Sequence, residues 1–173
     1  MDVVIEFAKI LIPAGLVLYA MFLVVKSFLN KEFNEKMVDI KINNTKIVLP
    51  IRLQAYERMC LFLERMAPNS LIPRLNVGEL SSSEFHAVLL NEIREEYNHN
   101  VSQQVYMSEE AWEMVKNAKE DLIVTINNAA SELLEENGSL ELSRKIFEIY
   151  MNKDPDPIVT ALNFIKNEIK ESF

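Results

Sequence analysis

The chain has 173 residues, 49% of them hydrophobic, and a formal net charge of −8 at pH 7. This length suits one domain with a short additional segment and excludes two full domains. Three glycines exclude a glycine-rich phosphate loop, and the lack of a clustered Lys/Arg face argues against nucleic acid as a partner. The single cysteine, Cys60, excludes an intramolecular disulfide and fits a small buried residue in a helix.

The N-terminal segment is the longest uncharged part of the chain. Sixteen residues, ILIPAGLVLYAMFLVV, separate Lys9 from Lys26 and cover about 24 Å as a helix, against about 30 Å for a hydrocarbon core. Apolar neighbours extend the segment to residues 3–29, and the two lysines can place their ammonium groups at the headgroups. We therefore predict that residues 1–29 form a transmembrane anchor whose partner is membrane lipid.

Two alternatives to a membrane span are a cleaved signal peptide and a buried core helix. Asp2, Glu6 and the missing small-residue cleavage site count against a signal peptide. A chain this small can hardly surround a helix that is apolar on every side. One lysine precedes the apolar run and five follow it up to Lys46, which predicts an outside N-terminus and a cytoplasmic C-terminal domain.

The juxtamembrane connector, residues 30–49, can be interpreted in two ways. Apolar residues from Phe33 to Ile40 recur at the spacing of a helix that continues out of the membrane. Val38 to Ile42 instead alternate with charged residues, and the following Asn-Asn-Thr could turn a hairpin. A helix is slightly favoured, because an isolated two-stranded ribbon is marginally stable in water.

Residues 50–173 have the pattern of a cytoplasmic domain of about five amphipathic helices, so the predicted fold class is all-α. Local signals mark the helix ends. In chain order they are Pro50, the two prolines of APNSLIPRL, the capping box from Ser81 to Glu84, Ser108, Asn137-Gly138 followed by Ser139, and DPDP before the last helix. The helix that Ser108 opens has heptad spacing from Trp112 to Leu133, interrupted only by Lys119.

One short pattern is compatible with metal binding. Glu96-x-x-His99, with Glu92 one turn earlier, has the spacing found in dimetal carboxylate bundles. Such a site needs a second Glu-x-x-His, and the other histidine, His86, has Ser83 three residues before it. A charged, solvated helix end explains the same residues. We predict no cofactor and no catalytic residue, and a metal-binding or enzymatic domain using these three side chains is the alternative function.

Three stretches are candidates for binding a second protein. They are two arginines on one helix face, the Asn-, Gln- and Tyr-rich segment EYNHNVSQQVYMS, and the heptad helix, which could pair with a copy of itself. Packing inside the chain's own bundle is the more frequent role of such stripes. The candidate residues are Arg58, Arg65, Tyr97, Gln103, Gln104, Tyr106 and Trp112.

The chain also resembles an uncharacterised family of single-span membrane proteins from Bacteroidota. The strings that carry this resemblance are LPIRLQAYERMCLFLERMAPNSL, LNEIREEYNHNVSQQVYMSEEAWEMVKNAKE and ALNFIKNEIKESF. The resemblance implies an anchor followed by helices, a bacterial inner-membrane location, and helix more often than hairpin in residues 31–49. It brings no activity or cofactor. The predicted function is a structural or accessory subunit whose acidic domain binds another protein, either of an integral membrane complex or a copy of itself.

Overall fold

The computed structural model describes residues 2–75, 80–134 and 137–171, and these residues are helical with no β-strand. The all-α prediction is therefore confirmed. The chain divides into two compact units, Met1–Leu49 and Pro50–Phe173. The helices are α1 (Asp2–Met66), α2 (Pro68–Leu75), α3 (Ser82–Asn100), a 3₁₀ helix (Val101–Tyr106), α4 (Glu109–Ser131), α5 (Ser139–Met151) and α6 (Pro157–Glu171).

The described residues of the first unit all belong to helix α1. All side chains from Leu11 to Lys31 are exposed, including the uncharged run from Leu11 onward. By length and composition this helix is able to cross a membrane, and none of its apolar window is buried. Pro13 lies inside the helix, where it removes one backbone hydrogen bond without ending it.

The connector is helical throughout, so its residues 31–49 do not form a hairpin. Ion pairs at i,i+4 spacing support the helix, with Lys31 Nζ 3.8 Å from Glu35 Oε1 and Lys36 Nζ 3.3 Å from Glu32 Oε1. The prediction that Pro50 begins a helix is wrong. This proline lies within α1, which continues through it despite the one backbone hydrogen bond that it removes.

The second unit is built around one hydrophobic core. α4 packs against α3, α5 and α6, and α2 packs against α3 and α5. The largest fully buried side chains include Phe62, Phe85, Leu89, Leu122 and Ile146. Burial of this kind is the main stabilising contribution to a small helical domain.

Three of the predicted helix starts are confirmed by their hydrogen bonds. Ser81 Oγ accepts from the Glu84 amide at 3.3 Å, and Glu84 Oε2 accepts from the Ser81 amide at 2.9 Å, which completes the capping box. Ser108 Oγ accepts from the Ala111 amide at 3.0 Å. Asp156 Oδ1 accepts from the Ile158 amide at 2.8 Å, with Pro157 as the first residue of α6.

Three further predictions of helix boundaries are wrong. The stretch APNSLIPRL was expected only to end a helix, but it forms α2, which begins at Pro68 and buries Leu71 and Ile72 against the core. Tertiary burial there outweighs the hydrogen bond lost at Pro73. Further on, α4 ends at Ser131 rather than at Asn137, and Gly138, not Ser139, occupies the cap position of α5.

Cys60 lies half-buried on α1, beside the hydrophobic core. Its burial raises the pKa of the thiol above the ordinary value, although the charge of Lys166 opposes this shift. The thiol is therefore protonated at neutral pH, as expected for a cysteine with a packing role.

Candidate functional site

The three metal-binding candidates lie along α3, and two of them form ion pairs with arginine side chains. Glu92 pairs with Arg74 of α2, and Glu96 pairs with Arg65 of α1. His99 is exposed. Within the described residues no group of three or more His, Cys, Asp or Glu side chains is placed to hold a metal ion. The two glutamates connect α3 to its neighbouring helices instead.

Tyr97 and Trp112, predicted as partner-binding residues, belong to an internal aromatic row. The Tyr97 ring stacks on Trp112 with centroids 5.6 Å apart, and it meets Phe62 at 6.1 Å. Lys119 Nζ lies 4.0 Å from the centroid of the Tyr97 ring. The lysine that interrupts the heptad pattern is thus held over an aromatic face by a cation–π contact. These residues stabilise the domain and present little surface to another protein.

The heptad stripe of α4 is also internal. Val115, Leu122, Ile126 and Ala129 are all at most 1% exposed. A surface that is already covered by α3, α5 and α6 is not free to pair with a second copy. The stripe therefore belongs to the core of the bundle.

The remaining candidates divide between paired and exposed side chains. Arg65 is held by Glu96, whereas Arg58 is exposed at the edge of a shallow depression of about 340 Å³ that also includes His99. Gln104 and Tyr106 are exposed, and Gln103 is half-buried. The 3₁₀ helix therefore presents polar groups to solvent without enclosing a site.

A polar network that the sequence did not reveal connects α1, α4 and α6. Tyr56 OH donates to Glu168 Oε1 at 2.6 Å, and Ser108 Oγ donates to Glu168 Oε2 at 2.9 Å. Arg52 Nη2 donates to Tyr56 OH at 3.3 Å, and Arg52 Nε donates to the Tyr106 carbonyl at 3.2 Å. Burial and the hydrogen bond to Glu168 raise the pKa of Tyr56. The network joins α1 to the start of α4 and to the last turns of α6.

One concave surface of the second unit is a groove of about 450 Å³, which we call the α5–α6 groove. Side chains from the end of α1, α2, α5, α6 and the loop between the last two line it. They are Glu64, Ala67, Pro68, Asn69, Phe147, Tyr150, Met151, Asp156, Ile158, Val159, Leu162, Asn163 and Lys166. Most of this surface is apolar, with charged and amide groups among the lining residues. Such a lining is suited to an apolar segment of another molecule.

One wall of the α5–α6 groove is fixed by hydrogen bonds. Tyr150 OH donates to Asp156 Oδ1 at 2.6 Å, and the same oxygen accepts from the Ile158 and Val159 amides at 2.8 and 3.1 Å. Burial, then the Asp156 carboxylate, raise the pKa of Tyr150, so the phenol is neutral at physiological pH. By contrast, Met151 is 80% exposed and Val159 50% exposed. The groove therefore combines a rigid wall with uncovered apolar side chains.

Comparison with known proteins gives a family and no activity. The profile of a family of unknown function (DUF7935) matches residues 2–172 of the chain. No curated protein and no solved structure matches it. The prediction that the chain belongs to an uncharacterised family, matched over almost its whole length, is confirmed.

Proposed function

The chain belongs to the DUF7935 family, and we propose that it is a membrane-anchored accessory subunit whose acidic helical domain binds another protein of a bacterial inner-membrane complex. The observation that carries this proposal is the pairing of a helix that is able to cross a membrane with a domain that leaves one apolar groove open. The resemblance to single-span proteins of Bacteroidota supports the bacterial inner membrane as the location.

The anchor in this proposal is residues 3–29, with the N-terminus outside and residues 50–173 in the cytoplasm. Lysines at positions 26, 31, 36, 41 and 46 follow the apolar run, and Lys9 alone precedes it. A positive excess on the carboxyl side supports this orientation. The i,i+4 ion pairs after residue 30 are those of a water-exposed helix, which supports an end of the span before them.

The orientation can be tested with single cysteines. In a Cys60→Ser background, a cysteine replaces Asp2 in one variant and Met151 in another. A membrane-impermeant maleimide added to spheroplasts should label the first variant and leave the second unlabelled until the membrane is lysed. Labelling of the second variant in intact spheroplasts would reverse the proposed orientation.

The partner in this proposal is a cytoplasmic loop of an integral membrane protein. Residues 50–173 contain 21 acidic and 12 basic residues, a formal net charge of −9. Cytoplasmic loops of membrane proteins are rich in Lys and Arg, so their charge complements that of this domain. An apolar side chain from such a loop can contact Met151 and Val159, with basic groups directed to Glu64 or Asp156.

Two exposed valines provide a matched test of the binding site. Val159 lies in the α5–α6 groove and is 50% exposed, and Val124 lies outside it on α4 and is 52% exposed. The full-length chain, Val159→Glu and Val124→Glu are captured from detergent-solubilised membranes of the native host, and co-purifying proteins are identified by mass spectrometry. We expect Val159→Glu alone to lose a membrane-protein partner, since a carboxylate there opposes apolar contact.

Two results would contradict this proposal. Recovery of the chain without any stoichiometric partner would remove the accessory-subunit function. Equal capture by both variants, with thermal stability unchanged, would place the partner away from the α5–α6 groove.

A further inference from the structure

The connector carries a row of exposed apolar side chains. Phe33, Met37, Ile40 and Ile47 are each 53–66% exposed. Lysine, glutamate and aspartate lie between them, whereas the proposed span up to residue 29 has a long uncharged run. This segment is therefore suited to water rather than to lipid. A row of four large apolar side chains in water is a feature of helices that bind another helix.

The spacing of these residues is that of a coiled coil. Positions 33, 37, 40, 44 and 47 follow one another at intervals of four, three, four and three, which are the d and a positions of consecutive heptads. Residue 44, the a position between residues 40 and 47, is an asparagine in this sequence.

The charged residues are arranged to leave this stripe uncovered. Lys31, Glu32 and Glu35 fall at the b, c and f positions, on the opposite side of the helix from a and d. They are joined to one another and to Lys36 in ion pairs within the helix. Asp39 and Lys46 are both c positions. The charged residues thus lie off the a and d positions, and Val38 and Ile42 leave the opposite side of the helix partly apolar.

We propose that residues 33–47 of α1 pair in parallel with the same residues of a second copy of this chain. Parallel orientation rests on the proposed anchor, because two copies in one membrane have the same direction. The binding surface lies wholly in the first unit, so this dimer is independent of any partner in the α5–α6 groove.

The available area is sufficient for a dimer of anchored chains. Eight apolar side chains, four from each copy, each cover on the order of 100 Å² when buried. Their total of about 800 Å² is below the ~1,200 Å² at the lower end of stable interfaces between free molecules. Confinement of both copies to one membrane raises their effective concentration, so less area is required than between free molecules.

One pair of like charges makes the proposed register testable. Lys36 and Lys41 are the g and e positions of successive heptads, and in a parallel dimer Lys36 of one copy lies opposite Lys41 of the other. The pair occurs twice in a symmetric dimer, so Lys41→Glu replaces two repulsive Lys–Lys pairs with two attractive Lys–Glu pairs. The affinity of the two copies for each other should rise about fivefold. Lys46→Glu makes the same charge change at a c position and should leave the dimer unchanged.

The test is disulfide cross-linking of the full-length chain in its membrane, in a Cys60→Ser background. Single cysteines at the seam positions 37, 40 and 47 should form a product of twice the 20.0 kDa chain mass. Single cysteines at the outer positions 35, 39 and 42 should form little. A second substitution, Ile40→Asn, should reduce the product from the cysteine at 37 about tenfold, whereas Ile42→Asn at an f position should not.

Two outcomes would overturn the proposal. No product at any position would show that the stripe does not meet a second copy, and a maximum at position 35, 39 or 42 would place the contact on the other face. Retention of the chain in the membrane pellet after a carbonate wash tests the anchor separately. A chain that is retained but not cross-linked contradicts the dimer alone.

Discussion

The two units place their apolar side chains in opposite environments. In the second unit Phe85, Leu89 and Ile93 are fully buried in the core, whereas in the first unit Phe22, Phe28 and Phe33 are each more than half exposed. The ion pairs described in the first unit join neighbouring turns of one helix, and those of Arg65 and Arg74 join different helices. An apolar side chain of the second unit therefore indicates a contribution to stability, whereas one of the first unit indicates what surrounds the helix.

Replacing one phenylalanine in each unit should give the largest contrast. Phe85→Ala, at a site that is 0% exposed, should lower the free energy of unfolding by about 3–5 kcal/mol because it leaves a cavity. Phe28→Ala, at a site that is 65% exposed, should change it by less than about 0.5 kcal/mol. Urea unfolding of the detergent-solubilised chain, followed by the fluorescence of its single tryptophan, measures both. Equal losses would contradict the division into units.

A smaller effect is expected from the polar network of the second unit. Tyr56→Phe removes the hydroxyl that donates to Glu168 and accepts from Arg52, and should cost about 1–2 kcal/mol. Tyr106→Phe is the matched control, because its ring lies on the exposed 3₁₀ helix and the network uses only its backbone carbonyl. The same unfolding measurement applies. A control variant as unstable as Tyr56→Phe would show that the network is not the cause.

The smallest effect concerns alkaline pH and is confined to the second unit. The pKa of Tyr150 is raised in the folded state, so the stabilisation is fully present below the unfolded value near 10 and is lost as pH rises above it. Wild type should lose stability between pH 9 and about pH 11 more steeply than Tyr150→Phe. Thermal unfolding across this range measures the difference. Parallel profiles for the two proteins would show that the phenol is not protected.

Local features were predictable from the sequence. Ser81, Ser108 and Asp156 each bond to amides two or three residues away, so their signals are contained in a few consecutive residues. The spacing of Leu122, Ile126 and Ala129 likewise marked the buried side of α4. In both cases the cause lies within one helix.

Features that depend on several helices were not predictable. Arg74 and Glu92 are eighteen residues apart in sequence, and Tyr56 and Glu168 are 112 apart, so no spacing rule connects them. Tyr97 and Trp112 looked like surface aromatics because aromatic side chains are frequent in cores and in interfaces alike. The α5–α6 groove depends on the packing of four helices and a loop, of which α2 was itself missed.

The burial of Cys60 has a consequence for how the protein responds to oxidants. Oxidation of a cysteine proceeds through the thiolate, and burial keeps this thiol protonated. The thiol is also half-buried, which slows contact with a second thiol. The single cysteine of the chain should therefore act as an unreactive packing residue, so that two associated copies remain joined by noncovalent contacts alone under oxidative stress.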